Sequence, residues 1–175
     1  MNLTTGSNNT ANGTRTLASN TTGSQNTATR AGALEYNITG SYNTANGFLA
    51  LYNNNGGYYN TAIGVWALFT NNGSNNTASG SQTLGSNTYG ADNTGIGNQA
   101  LYDNNSGYYN TATGYQVLYS NISGYYNTAS GSQALYNNNG QNNTAIGYFA
   151  LGNNISGSGN IALGYLAGQK ARDGR

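Results

Sequence analysis

Asn60-Thr61-Ala62-Ile63-Gly64-Val65-Trp66-Ala67-Leu68-Phe69-Thr70-Asn71 decides how the rest of the chain is read, because versions of it recur from one end to the other. With the Asn of Asn-Thr-Ala as position 1, repeats begin at Asn9, Asn26, Asn43, Asn60, Asn76, Asn93, Asn110, Asn127, Asn143 and Asn160, every spacing being 17 or 16 residues. The two shorter repeats, from Asn60 and Asn127, each lose a residue near the Gly that follows an Asn pair (Gly73, Gly140), and a tolerated deletion marks a loop.

Columns are more informative than rows. Position 2 is Thr in all copies but the last (Ile161), position 3 is Ala except Gly95, position 5 is Gly except Arg30, and position 9 is Leu except Gly168. Position 12 is Asn from Asn20 to Asn154 and fails only at Ala171. A short polar repeat needs such columns if each copy is one coil of a solenoid, with equivalent residues stacked about 4.7–4.9 Å apart. The Asn columns, exemplified by Asn60, Asn71, Asn110 and Asn121, are then amide ladders. Leu68 and Leu118 belong inside, and Ala62 and Ala112 mark close approach to another sheet or another subunit. Gly at position 5 suits a sharp corner needing positive φ, and Gly near position 15 suits the other corner. Segments 1–4 and 6–10 have the length of short strands. Frequent Gly and the lack of a 3.6 period exclude a helical reading.

The expected fold is therefore all-β, a parallel β-roll or β-solenoid of about ten 16–17-residue coils, flattened between two parallel sheets and about 48 Å long at the strand spacing. Residues 1–8 form a partial N-terminal coil, 9–168 the repetitive roll and 169–175 a charged C-terminal tail. One Leu and two Ala per coil make a thin apolar interior, so a homo-oligomer that buries a second face is expected.

Composition narrows the function. The 175 residues carry only 5% charged side chains, a formal charge of +1, 27 Gly, 16 Tyr and no Pro. Aromatic content and strict period separate the chain from disordered sequences. It has no Cys and no His, so disulfides, thiolate metal sites and the commonest general base are missing. Glu35, Asp92, Asp103 and Asp173 never recur at equivalent positions, which speaks against paired-carboxylate chemistry and a repeated Ca²⁺ site. No enzyme activity, cofactor or metal is expected. Five scattered basic groups are too few for nucleic acid, and no apolar run suits membrane insertion. The first residues lack the basic and apolar regions of a signal peptide.

Asn60-Thr61-Ala62-Ile63-Gly64, Asn143-Thr144-Ala145-Ile146-Gly147 and Asn160-Ile161-Ala162-Leu163-Gly164 resemble the Asn-Ser-Val-Ala-Ile-Gly motif of the YadA-like head of trimeric autotransporter adhesins, a left-handed parallel β-roll. The likeness covers residues 9–168, and similar repeats occur in phage tail-fibre and other surface fibre proteins. This repeat is longer than the family's, and Thr stands where the motif has Val. The resemblance implies a homotrimeric adhesive head or fibre segment, extracellular, on a cell surface or virion fibre, with a host-surface glycan or protein as receptor.

Tyr is the abundant residue suited to recognition. Tyr58-Tyr59, Tyr108-Tyr109 and Tyr125-Tyr126 occupy positions 16 and 17, and Tyr42 joins them at position 17. They form either a ridge of rings that meets a receptor or a stack that stiffens the turn. A second aromatic column at position 10 (Tyr52, Phe69, Tyr102, Tyr119, Tyr136) follows the core Leu and reads as structural. The Thr column raises ice binding as a further alternative, against a buried or interfacial Thr ladder. Lys170, Arg172, Asp173 and Arg175 either blunt an exposed sheet edge or leave ends that stack head to tail into a filament.

Overall fold

Each Asn-Thr-Ala segment becomes a three-residue strand, and the strands pair in register because the columns repeat. The computed structural model describes residues 5–169. Its strands are β1 (Thr10–Asn12), β2 (Thr27–Thr29), β3 (Thr44–Asn46), β4 (Thr61–Ile63), β5 (Thr70–Asn71), β6 (Thr77–Ser79), β7 (Ser86–Asn87), β8 (Thr94–Ile96), β9 (Thr111–Thr113), β10 (Thr128–Ser130), β11 (Thr144–Ile146) and β12 (Ile161–Leu163). Ten of them make one parallel sheet in the order β1-β2-β3-β4-β6-β8-β9-β10-β11-β12, with Thr opposite Thr and Ala opposite Ala at nearly every step. The chain is thus an all-β parallel solenoid of about nine turns, with no helix among the described residues.

The expected second sheet is reduced to the pair β5–β7 and two isolated bridges, Asn53 with Thr70 and Ser120 with Asn137. Positions 6–10 are turns, not strand. The cause is backbone handedness: position 7 (Trp66, φ 59°; Gln116, φ 51°) and position 9 (Leu68, φ 50°; Leu118, φ 51°) are both left-handed. For an L-residue that conformation costs about 1–2 kcal/mol, so it persists only where surroundings enforce it. Here the hydrogen bonds between coils continue through the turn. Leu51 N–H donates to Ala67 C=O at 3.0 Å and Leu118 N–H to Ala134 C=O at 3.0 Å, while Trp66 N–H reaches back to Phe48 C=O at 3.0 Å.

The Leu column is inside as expected, Leu34 to Leu135 being fully buried, and it packs with the Ala of positions 3 and 8. Ala62 and Ala112 are fully buried within their own chain, so the small-residue column serves the roll interior and is not a contact between subunits. Gly95, the one exception in that column, shows how tight the fit is. A Cβ there would lie 2.7 Å from the Thr83 methyl, and Thr83 is the larger residue at position 8 in the preceding coil.

The two Gly corners differ. Position 5 favours Gly on both counts: φ is 133° at Gly64 and 132° at Gly114, as expected, and a Cβ on Gly64 would meet the Gly80 carbonyl of the next coil. Position 15 does not adopt positive φ, which moves instead to position 17 (Tyr59, φ 58°; Tyr109, φ 56°). Gly is required at position 15 for space: a Cβ on Gly107 would meet the Asn104 Oδ1 at 2.3 Å and the Gly124 carbonyl at 2.5 Å. The charged tail expected over 169–175 lies, apart from Gln169, outside the described residues, as do the first four residues of the partial coil at 1–8.

Candidate functional sites on the turn edge and the sheet face

Two Asn columns clamp the long turn from inside. In the repeat that begins at Asn110, the carbonyl of Gly124 accepts from Asn110 Nδ2 at 2.8 Å and from Asn121 Nδ2 at 2.9 Å. Each amide spends its remaining capacity on the coil before it, Asn121 Nδ2 on Asn104 Oδ1 at 2.8 Å and Asn110 Nδ2 on Asn93 Oδ1 at 3.1 Å, which also accepts from the Asn110 backbone N–H. Asn60 and Asn71 repeat the arrangement on the Gly73 carbonyl, at 3.0 and 2.8 Å. All four of these Asn are buried. Buried amides are costly unless satisfied, and these are satisfied on both sides of the stack. The ladder thereby holds the backbone from which positions 16 and 17 project.

Those positions carry the Tyr side chains outward. Tyr58 is 51% exposed and Tyr109 50%, whereas Tyr125 is half-buried. The rings form two separate clusters. Tyr42 stacks on Tyr59 with centroids 4.7 Å apart, and Tyr58 meets Tyr59 edge-on. Tyr108 stacks on Tyr125 at 4.7 Å and Tyr109 on Tyr126 at 5.1 Å, both pairs within 4° of parallel. Ser74-Asn75 and Ala91-Asp92 fill the coils between, so the clusters stand roughly 14 Å apart at the strand spacing. Within the larger cluster the Tyr108 hydroxyl is raised above the ordinary value of 10.0, first by burial and then by the phenols of Tyr125, Tyr126 and Tyr109.

The position-10 column also stacks, Tyr52 on Phe69 at 5.1 Å and Tyr119 on both Tyr102 and Tyr136 at 5.3 and 5.1 Å. Burial raises the Tyr119 hydroxyl, with the Asp103 carboxylate next, and burial raises Asp103 as well. In the second coil Glu35 replaces the ring; its buried carboxylate pairs with Arg15 of the coil before.

The outward face of the main sheet is free of charged residues. Position 2 presents the Thr column, which is exposed or half-exposed and not a ladder buried within the chain. Beside it position 4 presents Ile63, Ile96, Ile146 and Leu163, and position 6 presents Phe48, Val65, Tyr115, Tyr148 and Tyr165, all exposed.

A feature that column reading missed lies where positions 11 and 13 face outward from the second and following coils. Tyr36, Ile38, Asn53, Asn55 and Asn72 line an open cleft of about 290 Å³. Tyr36 is the one aromatic residue at position 11, and that break in the column was its only signal. Among the described residues no group of three or more His, Cys, Asp or Glu is placed to hold a metal ion, and no helix is long and apolar enough to cross a membrane. Comparison of the chain with known protein families, with curated proteins and with solved structures finds no match.

Proposed function

We propose that the chain is a non-enzymatic attachment module, a β-roll head or fibre segment displayed outside a cell or virion, that works as a homotrimer. The observation that carries the reading is the pair of exposed, stacked Tyr clusters on one edge of a rigid rod. Tyr supplies broad amphipathic contact area at low entropic cost, and rings already stacked lose little freedom on binding. The uncharged sheet face supports self-association. Exposed Ile63, Ile96, Ile146 and Leu163, beside exposed Phe48, Val65, Tyr115, Tyr148 and Tyr165 in the adjoining turn, give that face the apolar side chains an interface core uses.

Attachment is tested with the Tyr58→Ser, Tyr108→Ser, Tyr125→Ser triple variant on a glycan array. Binding should fall at least tenfold while the melting temperature stays within about 2 °C of the parent. Unchanged binding would remove the Tyr clusters from recognition. Trimerisation is read independently as the mass by light scattering.

The outward Thr column favours a second reading, an ice-binding surface of regularly spaced hydroxyl and methyl groups. On that reading the protein shapes ice crystals and Thr61→Val with Thr111→Val changes the shaping. An unmodified protein that shapes no ice ends it.

A further inference from the structure

The cleft at Tyr36 has a chemistry the Tyr clusters lack. Its five lining residues are one phenol, one branched aliphatic side chain and three primary amides, with no acid or base among them. The nearest charges neutralise each other, Glu35 being buried against Arg15. An ionic ligand would find no counter-charge there.

The walls are held in place before any ligand arrives. Tyr36 meets Tyr52 edge-on with centroids 5.0 Å apart, and Tyr52 is stacked on Phe69. The backbone beneath is paired from coil to coil, Tyr36 N–H to Tyr52 C=O at 2.9 Å, Ile38 N–H to Asn55 C=O at 3.2 Å and Asn53 N–H to Phe69 C=O at 2.9 Å. Asn55 N–H donates to Asn72 Oδ1 at 3.1 Å, which fixes the Asn72 amide and leaves its Nδ2 to donate elsewhere. Asn53 and Asn55 side chains make no hydrogen bond with other described residues, unlike the ladder residue Asn54 between them. The cleft therefore combines a fixed ring and a methyl-bearing wall with several amide donors and acceptors still to be used.

We infer that this cleft binds a neutral saccharide. A pyranose ring has an apolar C–H face that suits Tyr36 and Ile38, and a rim of hydroxyls that can both donate to and accept from the amides of Asn53, Asn55 and Asn72. The volume of about 290 Å³ is at the lower end for ligand clefts, which limits the ligand to a short saccharide or the tip of a longer glycan. Because Tyr occupies position 11 once only, the cleft is a single site and not one of a repeating series. The inference rests on the attachment reading and adds to it the class of receptor and a second place of contact.

The test is NMR titration of the whole chain with methyl glycosides of glucose, galactose, mannose and N-acetylglucosamine, with the methyl glycoside of sialic acid as the charged control. At least one neutral glycoside should shift the side-chain amide signals of Asn53, Asn55 and Asn72. Tyr36→Ala should weaken that binding at least tenfold, Asn72→Ala should weaken it with the fold unchanged by circular dichroism, and Tyr36→Phe should keep it. No shift at tens of millimolar with any neutral glycoside, binding of the sialoside alone, or full binding by Tyr36→Ala would overturn the inference. Glycoside binding lost in the triple Tyr variant but kept by Tyr36→Ala would overturn it while leaving attachment through the Tyr clusters standing.

Discussion

Asn121 and Tyr125 belong to the same turn, one facing in and the other out, and they obey different rules. The inward column of Asn121 continues through nine coils, from Asn20 to Asn154, and its amides bond coil to coil. The outward columns of Tyr125 and its neighbour Tyr126 appear in two patches, interrupted by Ser74-Asn75 and Ala91-Asp92. Inside, each residue is the next one's hydrogen-bond partner, so one substitution strands a neighbour. Outside, a ring loses at most its stacking partner. Uniformity in this solenoid marks what stacking requires, and irregularity marks what stacking leaves free for binding.

The sharpest way to break that contrast is to overfill the interior. Ala112 is fully buried, and a single methyl at the equivalent Gly95 would already stand 2.7 Å from Thr83. Ala112→Leu should cost about 3 kcal/mol. Because the column faces the interior of its own chain, the roll itself should melt earlier, with no separate dissociation step in the mass by light scattering. Loss of trimer mass before any loss of β circular dichroism would place the column at a subunit contact instead.

A smaller effect sharpens the outer rule. Asp103 sits half-buried beside the Tyr119 ring, and burial raises its pKa above the ordinary 3.8. A carboxyl raised in the folded state binds its proton more tightly there than in the unfolded chain. Stability therefore falls as pH rises from 3.8 through the folded pKa and stays lower above it. Asp103→Asn should raise the melting temperature slightly near pH 7 and leave it unchanged near pH 3. An equal gain at both would show that the charge is not the cause.

Much of this division was legible in the residues. Strict repetition of Asn, Thr, Ala and Leu located the strands, their register and the buried Leu, because a stacked coil must put like on like. The conformation of positions 6–10 was not legible. Leu68 and Trp66 look like strand residues, and an L-residue in the left-handed region is held there by bonds to the neighbouring coils, which no local pattern reveals. Gly107 reads in the sequence as a corner glycine, and what demands it is space, since the clash it avoids is with Asn104 and with the next coil. The direction in which Thr61 points depends on which strand face closes over Leu68, and a strand of three residues alternates too briefly to say. The Tyr36 cleft was hidden for the opposite reason: it depends on a residue that departs from its column.

The most direct test of the inner and outer rules is a pair of thermal melts, Asn121→Ala against Tyr125→Ser. Removing the Asn121 amide leaves Asn104 Oδ1 without its donor and takes an acceptor from Asn138 Nδ2, which reaches it at 3.1 Å. That should cost about 2 kcal/mol, or roughly 4–8 °C for a chain of this size. Tyr125→Ser should move the midpoint by less than about 2 °C. Equal shifts, or a larger one for Tyr125→Ser, would contradict the account, because the Tyr clusters would then be part of what holds the coils together.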